Sequence, residues 1–436
     1  MLTIARRTVD LWWRTWPWLV AIFLIGWLIR YWVLNLAVTI GIDHGGIWGS
    51  LVLAVVPMAR LLTYLAMFLV IRSATTGLQH MESAETAAPR GPVDVTLTAI
   101  MPFLVIYTAW KLVVEDFYLY HTTVNITTVY EGTQDQVSAV VNNIVGPSVW
   151  VVIIAAFLLR QAITRFRERL PRWTMALGVY LEILWLFLTI QASFAALFGT
   201  PEWIARRRIV VWWNETREAL FSNFVGLGLW WDFVTGLLAL LLPAAGLALA
   251  WNAIASAVYG TPFEPTWQGG RRTFLGHRGD AVAARALEQG RRTLAPRWQR
   301  VPSVIQSRVI EFLRGQLGRF ASIGDAGRLI LHGGWLPISF FVLAYTVLVL
   351  AAPSGAYFDP EVTDGWLFRA VALMLGPHEW QWWQAYDDTI RVAISALIEP
   401  IRICLVAATF WYCADQLRSG QDRQPALNRT TTGDAS

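Results

Sequence analysis

"SALIEPIRICLVAATF", Ser395 to Phe410, is apolar along most of its length, yet it carries Glu399, Pro400 and Arg402 at its centre. Read as a membrane span, it puts two opposite charges and a helix breaker where lipid would lie. The composition selects that reading all the same. Of 436 residues, 56% are hydrophobic and only 15% charged, and the mean hydropathy is +0.45. Apolar runs of about 20 residues follow one another, the length that crosses roughly 30 Å of hydrocarbon. The predicted fold is all-α: a polytopic membrane helical bundle.

Eight spans are expected, near 16–40, 48–72, 96–119, 138–160, 173–198, 229–258, 333–352 and 389–413. With the N-terminus assigned to the cytoplasm, 25 of the 35 Arg and Lys fall in inside segments and five in outside segments. This asymmetry is what the positive-inside rule demands, and it predicts that both ends lie inside. The 25 tryptophans fit, because indole rings favour the headgroup boundary. Arg6, Arg7 and Arg14 precede the first span without an obvious small-residue cleavage site, so that span reads as a retained helix. Lys111 is the only lysine, and this arginine bias with abundant Ala, Gly and Trp points to a high-GC, bacterial source.

Four regions follow. Residues 1–259 carry spans 1–6, with an outer segment at 201–221, "PEWIARRRIVVWWNETREALF", whose mixed charge suggests an amphipathic helix lying on the surface. Residues 260–331 form a cytoplasmic loop with 12 arginines against five acids, and two stretches of it read as amphipathic helices. There the echo "QGGRRTF" and "QGRRTL" places Arg271, Arg272, Arg291 and Arg292 in two corresponding turns, suited to anionic lipid head groups or a cytoplasmic or membrane protein partner. Residues 332–417 hold spans 7 and 8 around an acidic outer loop, which includes "WLFRAVALMLG", a run too short to cross a bilayer. The polar tail 418–436 is expected to be disordered. Prolines recur near matching ends of the spans, and "VPMAR" in span 2 echoes "EPIR" in span 8, which suggests four helical hairpins.

Arg60, Glu182, Glu399 and Arg402 fall near the middle of their spans, and their formal charges sum to zero. A charge at the bilayer centre costs at least about 2.5–3.5 kcal/mol, so each should face the bundle and find a partner. Glu399 and Arg402 are three residues apart and share a helix face. Pro400 cannot donate to the carbonyl of Ala396, nor Pro57 to that of Leu53, and a freed carbonyl beside a charge makes a polar spot. Kinked helices at midplane are how secondary transporters build sites. Spans 2, 5 and 8 are therefore expected to form either a polar path or a neutral cluster that fixes packing.

Lys111, Glu115 and Asp116 lie in the outer half of span 3, with Arg30 at similar depth in span 1. Lys111 and Glu115 form an i,i+4 pair, and snorkelling to the head groups is the expected role of these charges. Asn142, Asn143 and Asn252 are expected to join helices through hydrogen bonds.

The outer face collects Asp43, His44, Glu115, Asp116, His121, His378, Glu379, Asp387 and Asp388, but with no spacing that defines a metal motif. Nor is there a P-loop, a dinucleotide fingerprint or a nucleophile elbow. Cys404 and Cys413 are nine residues apart on one helix and face opposite sides, so no disulfide is expected. No cofactor, metal or nucleic acid is implied. Three functions remain: translocation of a small molecule or ion, a non-catalytic scaffold in envelope assembly or secretion, and an enzyme acting on lipid-linked substrates at the outer face. Translocation is the expected one.

Overall fold

The computed structural model describes residues 2–75, 92–109, 112–130, 147–166, 169–171, 174–197, 208, 211–212, 215–216, 225–259, 327–330, 333–352 and 365–432. Every element among them is an α-helix: α1 (Leu2–His44), α2 (Gly46–Leu53), α3 (Val55–Ala74), α4 (Pro92–Ala109), α5 (Leu112–Tyr130), α6 (Pro147–Arg165), α7 (Thr174–Leu197), α8 (Val225–Tyr259), α9 (Trp335–Ala351), α10 (Trp366–Leu375) and α11 (Trp380–Thr432). Helices suit such a sequence, because in lipid each backbone polar group must be satisfied within its own segment. Three are long and apolar enough to cross a membrane: α1, the α2–α3 unit (Gly46–Ala74), and Ala385–Leu417 within α11.

The centre of the bundle is α11. Between Ile398 and Ala414 nearly every residue is buried, as expected of a helix that is apolar all round. Its small residues, Cys404, Ala407, Ala408 and Ala414, let neighbours approach closely. On one side α1 runs antiparallel to it, with Arg7 3.5 Å from Asp415 and Thr15 beside Cys404. On another α9 is also antiparallel, with Gly333, just before it, against Cys413 and with Tyr345 beside Arg402.

Buried residues of α1 recur at spacings of three or four (Ile4, Thr8, Leu11, Thr15, Leu19), a single stripe. The opposite side shows Trp13, Trp18, Leu28 and Trp32, a surface fit for lipid. The chain then reverses at Gly45, whose φ of 102° favours glycine. Past this turn α3 packs antiparallel on α1 so closely that a Cβ on Gly26 would stand 2.0 Å from Thr63 Oγ1.

Span 2 is not one unbroken helix, and its interruption lies where the kink at Pro57 is expected. It breaks at Ala54 into α2 and α3, three residues before Pro57, which cannot complete the helical bond to Leu53. There Tyr180 Oη on α7 donates to the Leu51 carbonyl at 2.7 Å. Nor is 96–119 one straight helix. Tyr107 on α4 touches Asp116 on α5, although nine residues span about 13.5 Å along an unbroken helix. After Leu417 the polar tail, expected to be disordered, continues α11 as far as Thr432, since extending a helix costs less than nucleating one. The short run 366–375 forms α10, which has no buried residue and leaves Leu373 and Met374 exposed.

Candidate functional site

Two buried charge groups lie side by side in the bundle. The first joins α1, α3, α4 and α5. Asp116, fully buried, accepts from Arg30 Nε at 2.9 Å and again from Arg30 Nη2. Tyr107 Oη donates to its other oxygen. Arg30 Nη2 also reaches Glu115 Oε1 at 3.1 Å. Arg60 Nη2 stands 3.6 Å from Asp116 and 3.7 Å from Glu115, and its guanidinium lies 5.7 Å from the centre of the Tyr107 ring. Two guanidinium groups and two carboxylates make the group formally neutral. Desolvated charges need this, because an unpaired ion in the interior costs several kcal/mol.

The register of the turn explains how these residues meet. Arg30 and Arg60 stand fifteen residues before and after Gly45, so the antiparallel pair α1–α3 brings them level. Arg30 then turns inward to α5 instead of snorkelling outward, because two adjacent carboxylates are in reach.

The second group is centred on α11. Arg402 is fully buried and donates through Nη1 to Glu399 Oε1. Its guanidinium lies 5.8 Å from the centre of the Tyr345 ring on α9, within cation–π range. Tyr64 on α3 lies in the electrostatic field of Glu399, Arg60, Arg402 and Glu115. It is one helical turn from Arg60, so it stands between the two groups. Trp251 on α8 packs edge-on against Tyr64 at 4.8 Å. Asn252 beside it is buried on the same helix. A polar column results, from Arg30, Glu115 and Asp116 through Arg60 and Tyr64 to Glu399 and Arg402.

Glu182 is not in that column, which corrects the expected grouping of Arg60, Glu182, Glu399 and Arg402. Its Oε2 lies 2.5 Å from Arg160 Nε and accepts from Trp185 Nε1 at 3.2 Å. Helices α6 and α7 are antiparallel in a register that puts 160 against 182 and 157 against 185. Neutrality therefore holds locally, in three groups, each with its own partners. Pro57 and Pro400 are both buried, at the α2–α3 break and beside Glu399.

Asp116, Tyr107, Tyr64 and Arg160 carry roles that span-by-span reading did not give them. A signal existed for some. Tyr64 is i+4 from Arg60, and a short turn fixes the hairpin register that opposes Arg160 to Glu182. Lys111, Asn142, Asn143, Arg271, Arg272, Arg291 and Arg292 lie outside the described residues, as does most of 201–221. Among the described residues no three His, Cys, Asp or Glu side chains are grouped as a metal site. His378 stacks on Trp382 at 4.2 Å, and Asp387 accepts from Arg391 at 2.7 Å.

Fold and site together define a class: an all-helical protein with membrane-length helices and a buried, neutral column of charge, which fits a multi-pass membrane protein. No known protein family, curated protein or solved structure matches the chain.

Proposed function

We propose that this chain is an eight-span protein of the plasma membrane, arranged as four hairpins with both ends in the cytoplasm, and that it translocates a small molecule or ion as a transporter or permease-like component. The observation that carries the reading is the column. Five buried or largely buried charges lie on α1, α3, α5 and α11, with Glu115 beside them and Tyr64 in the field of both groups. Ionisable groups at membrane depth are costly, and packing alone is served as well by apolar residues. Transport supplies a reason to keep them. The positive-inside asymmetry supports the topology and a bacterial inner membrane. Arg271, Arg272, Arg291 and Arg292 are the proposed contacts with anionic lipid or a partner.

The test compares metabolites and lipids of cells with and without the chain, then restores it as variants. Wild type and Glu182→Gln are expected to reverse the difference, whereas Arg60→Leu, present at wild-type level, is expected not to. A folded Arg60→Leu protein that restores everything would sink the transport reading.

The basic segment 260–331 and the wholly unburied α10 favour a second reading, a scaffold for envelope assembly or secretion. Deleting 268–300 would then abolish function, while the buried pairs could be replaced together without loss.

A further inference from the structure

Of the three carboxyl groups of the column, Asp116 and Glu399 are held very differently. Asp116 receives hydrogen bonds from Arg30 and Tyr107 and has Arg60 at 3.6 Å, so both its oxygens are engaged. Glu399 is as deeply placed, at 5% exposure, but has one partner, Arg402, on its own helix. Among the described residues its second oxygen, Oε2, accepts no hydrogen bond. A buried carboxylate oxygen without a donor carries its full desolvation cost, and neutralisation removes that cost.

A second acceptor lies one helical turn away. Pro400 has no N–H, so the carbonyl of Ala396 loses its helical bond, and Ala396 is buried. Side chains on a helix lean towards its N-terminus, so a rotation of the Glu399 carboxyl off Arg402 brings it towards the turn that holds Ala396. One proton placed between these two acceptors satisfies both.

Arg402 bears the cost of the change. When Glu399 is neutral, the guanidinium keeps the Tyr345 ring face at 5.8 Å. Among the described residues the titratable or charged groups that face Glu399 are Arg402 on its own helix, Tyr64 from α3 and Tyr345 from α9. None is a second carboxylate that would compete for the proton.

We infer that Glu399 is a proton-binding site, alternating between a carboxylate paired with Arg402 and a carboxylic acid whose O–H is donated to the Ala396 carbonyl. The proton comes from and returns to water, and the pair changes from neutral to singly positive. The inference rests on the transport reading and deepens it: the coupling ion is a proton, Glu399 carries it, and Asp116 is the fixed counter-charge of Arg30 and Arg60.

The experiment uses the full chain, purified into lipid nanodiscs, and infrared difference spectra recorded on lowering the pH. Wild type is expected to gain a protonated-carboxyl C=O band that Glu399→Gln lacks and Glu182→Gln keeps. Pro400→Ala restores the missing N–H to Ala396, so the acid loses its acceptor and the same band weakens at each pH. A spectrum unchanged by Glu399→Gln overturns the proton site, and an undiminished band in folded Pro400→Ala overturns the role of the carbonyl.

Proteoliposomes loaded with a pH-sensitive dye, under a potassium-diffusion potential, separate this from the transport reading. Proton flux in wild type that Glu399→Gln abolishes supports both. Flux that persists in Glu399→Gln overturns Glu399 as the carrier and leaves transport standing. A Glu399 band without any wild-type flux keeps the proton site and overturns free passage of the proton across the membrane, and the metabolite comparison then decides transport.

Discussion

Replacing Asp116 by Asn removes one negative charge from a site where nothing else can take its place. The carboxylate is fully buried, between Arg30 at 2.9 Å, Arg60 at 3.6 Å and the Tyr107 hydroxyl. After the change two guanidinium groups face Glu115 alone, and the group passes from neutral to +1. Breaking a buried ion pair by removing one partner costs about 3–5 kcal/mol. At about 1.4 kcal/mol per decade, that is between two and four powers of ten in the folding equilibrium. Glu115→Gln serves as the internal comparison. Glu115 is 16% exposed and 3.7 Å from Arg60, and Asp116 still bridges both arginines once it is gone. Its loss is expected to cost about 1.5–3 kcal/mol, the worth of a hydrogen bond to a charged group. Restoring neutrality with Arg60→Met in the Asp116→Asn background is expected to recover at least half of the loss. The assay is reversible unfolding of the purified chain in mixed micelles, followed by tryptophan fluorescence. An Asp116→Asn cost below about 1 kcal/mol, or no larger than that of Glu115→Gln, would refute the claim that Asp116 neutralises a desolvated arginine pair.

Gly26 and Gly178 test helix contact from opposite directions. Ala at 26 drives a methyl into Thr63, so overpacking of about 1–3 kcal/mol is expected, whereas Ala at 178 meets only Ile163 at 3.7 Å and should gain about 0.5–1 kcal/mol of helix propensity; thermal unfolding of both variants reads the sign. Tyr180→Phe removes the 2.7 Å bond to the Leu51 carbonyl and should cost about 1 kcal/mol, with amide exchange rising around Ala54 first. Reporter fusions after residues 125, 280 and 370 should read outside, inside and outside, and an outside signal at 280 would overturn the topology.

How much of the site was legible depends on which kind of neighbour a residue has. Glu399 and Arg402 are partners on one helix face, so spacing alone pairs them. Arg30 and Arg60 become neighbours through the Gly45 turn, which lies in the sequence but counts only once the two helices are seen to pack antiparallel. Asp116 belongs to a third helix that no local rule aligns with the other two. Charge neutrality was correctly sought for Arg60 and Glu182, yet both found other partners, because Asp116 and Arg160 are closer in space.

By itself the sequence determined the helical class, the membrane-length apolar runs, and the presence of charges too costly to face lipid. Those follow from composition and period, which act residue by residue. Only the tertiary structure decided which charge neutralises which, that α11 is the central helix, and that Tyr64 stands between two ion-pair groups. The reason is physical: burial and pairing are properties of the space between helices, and that space is set by close approaches such as Gly26 on Thr63, which no single helix contains.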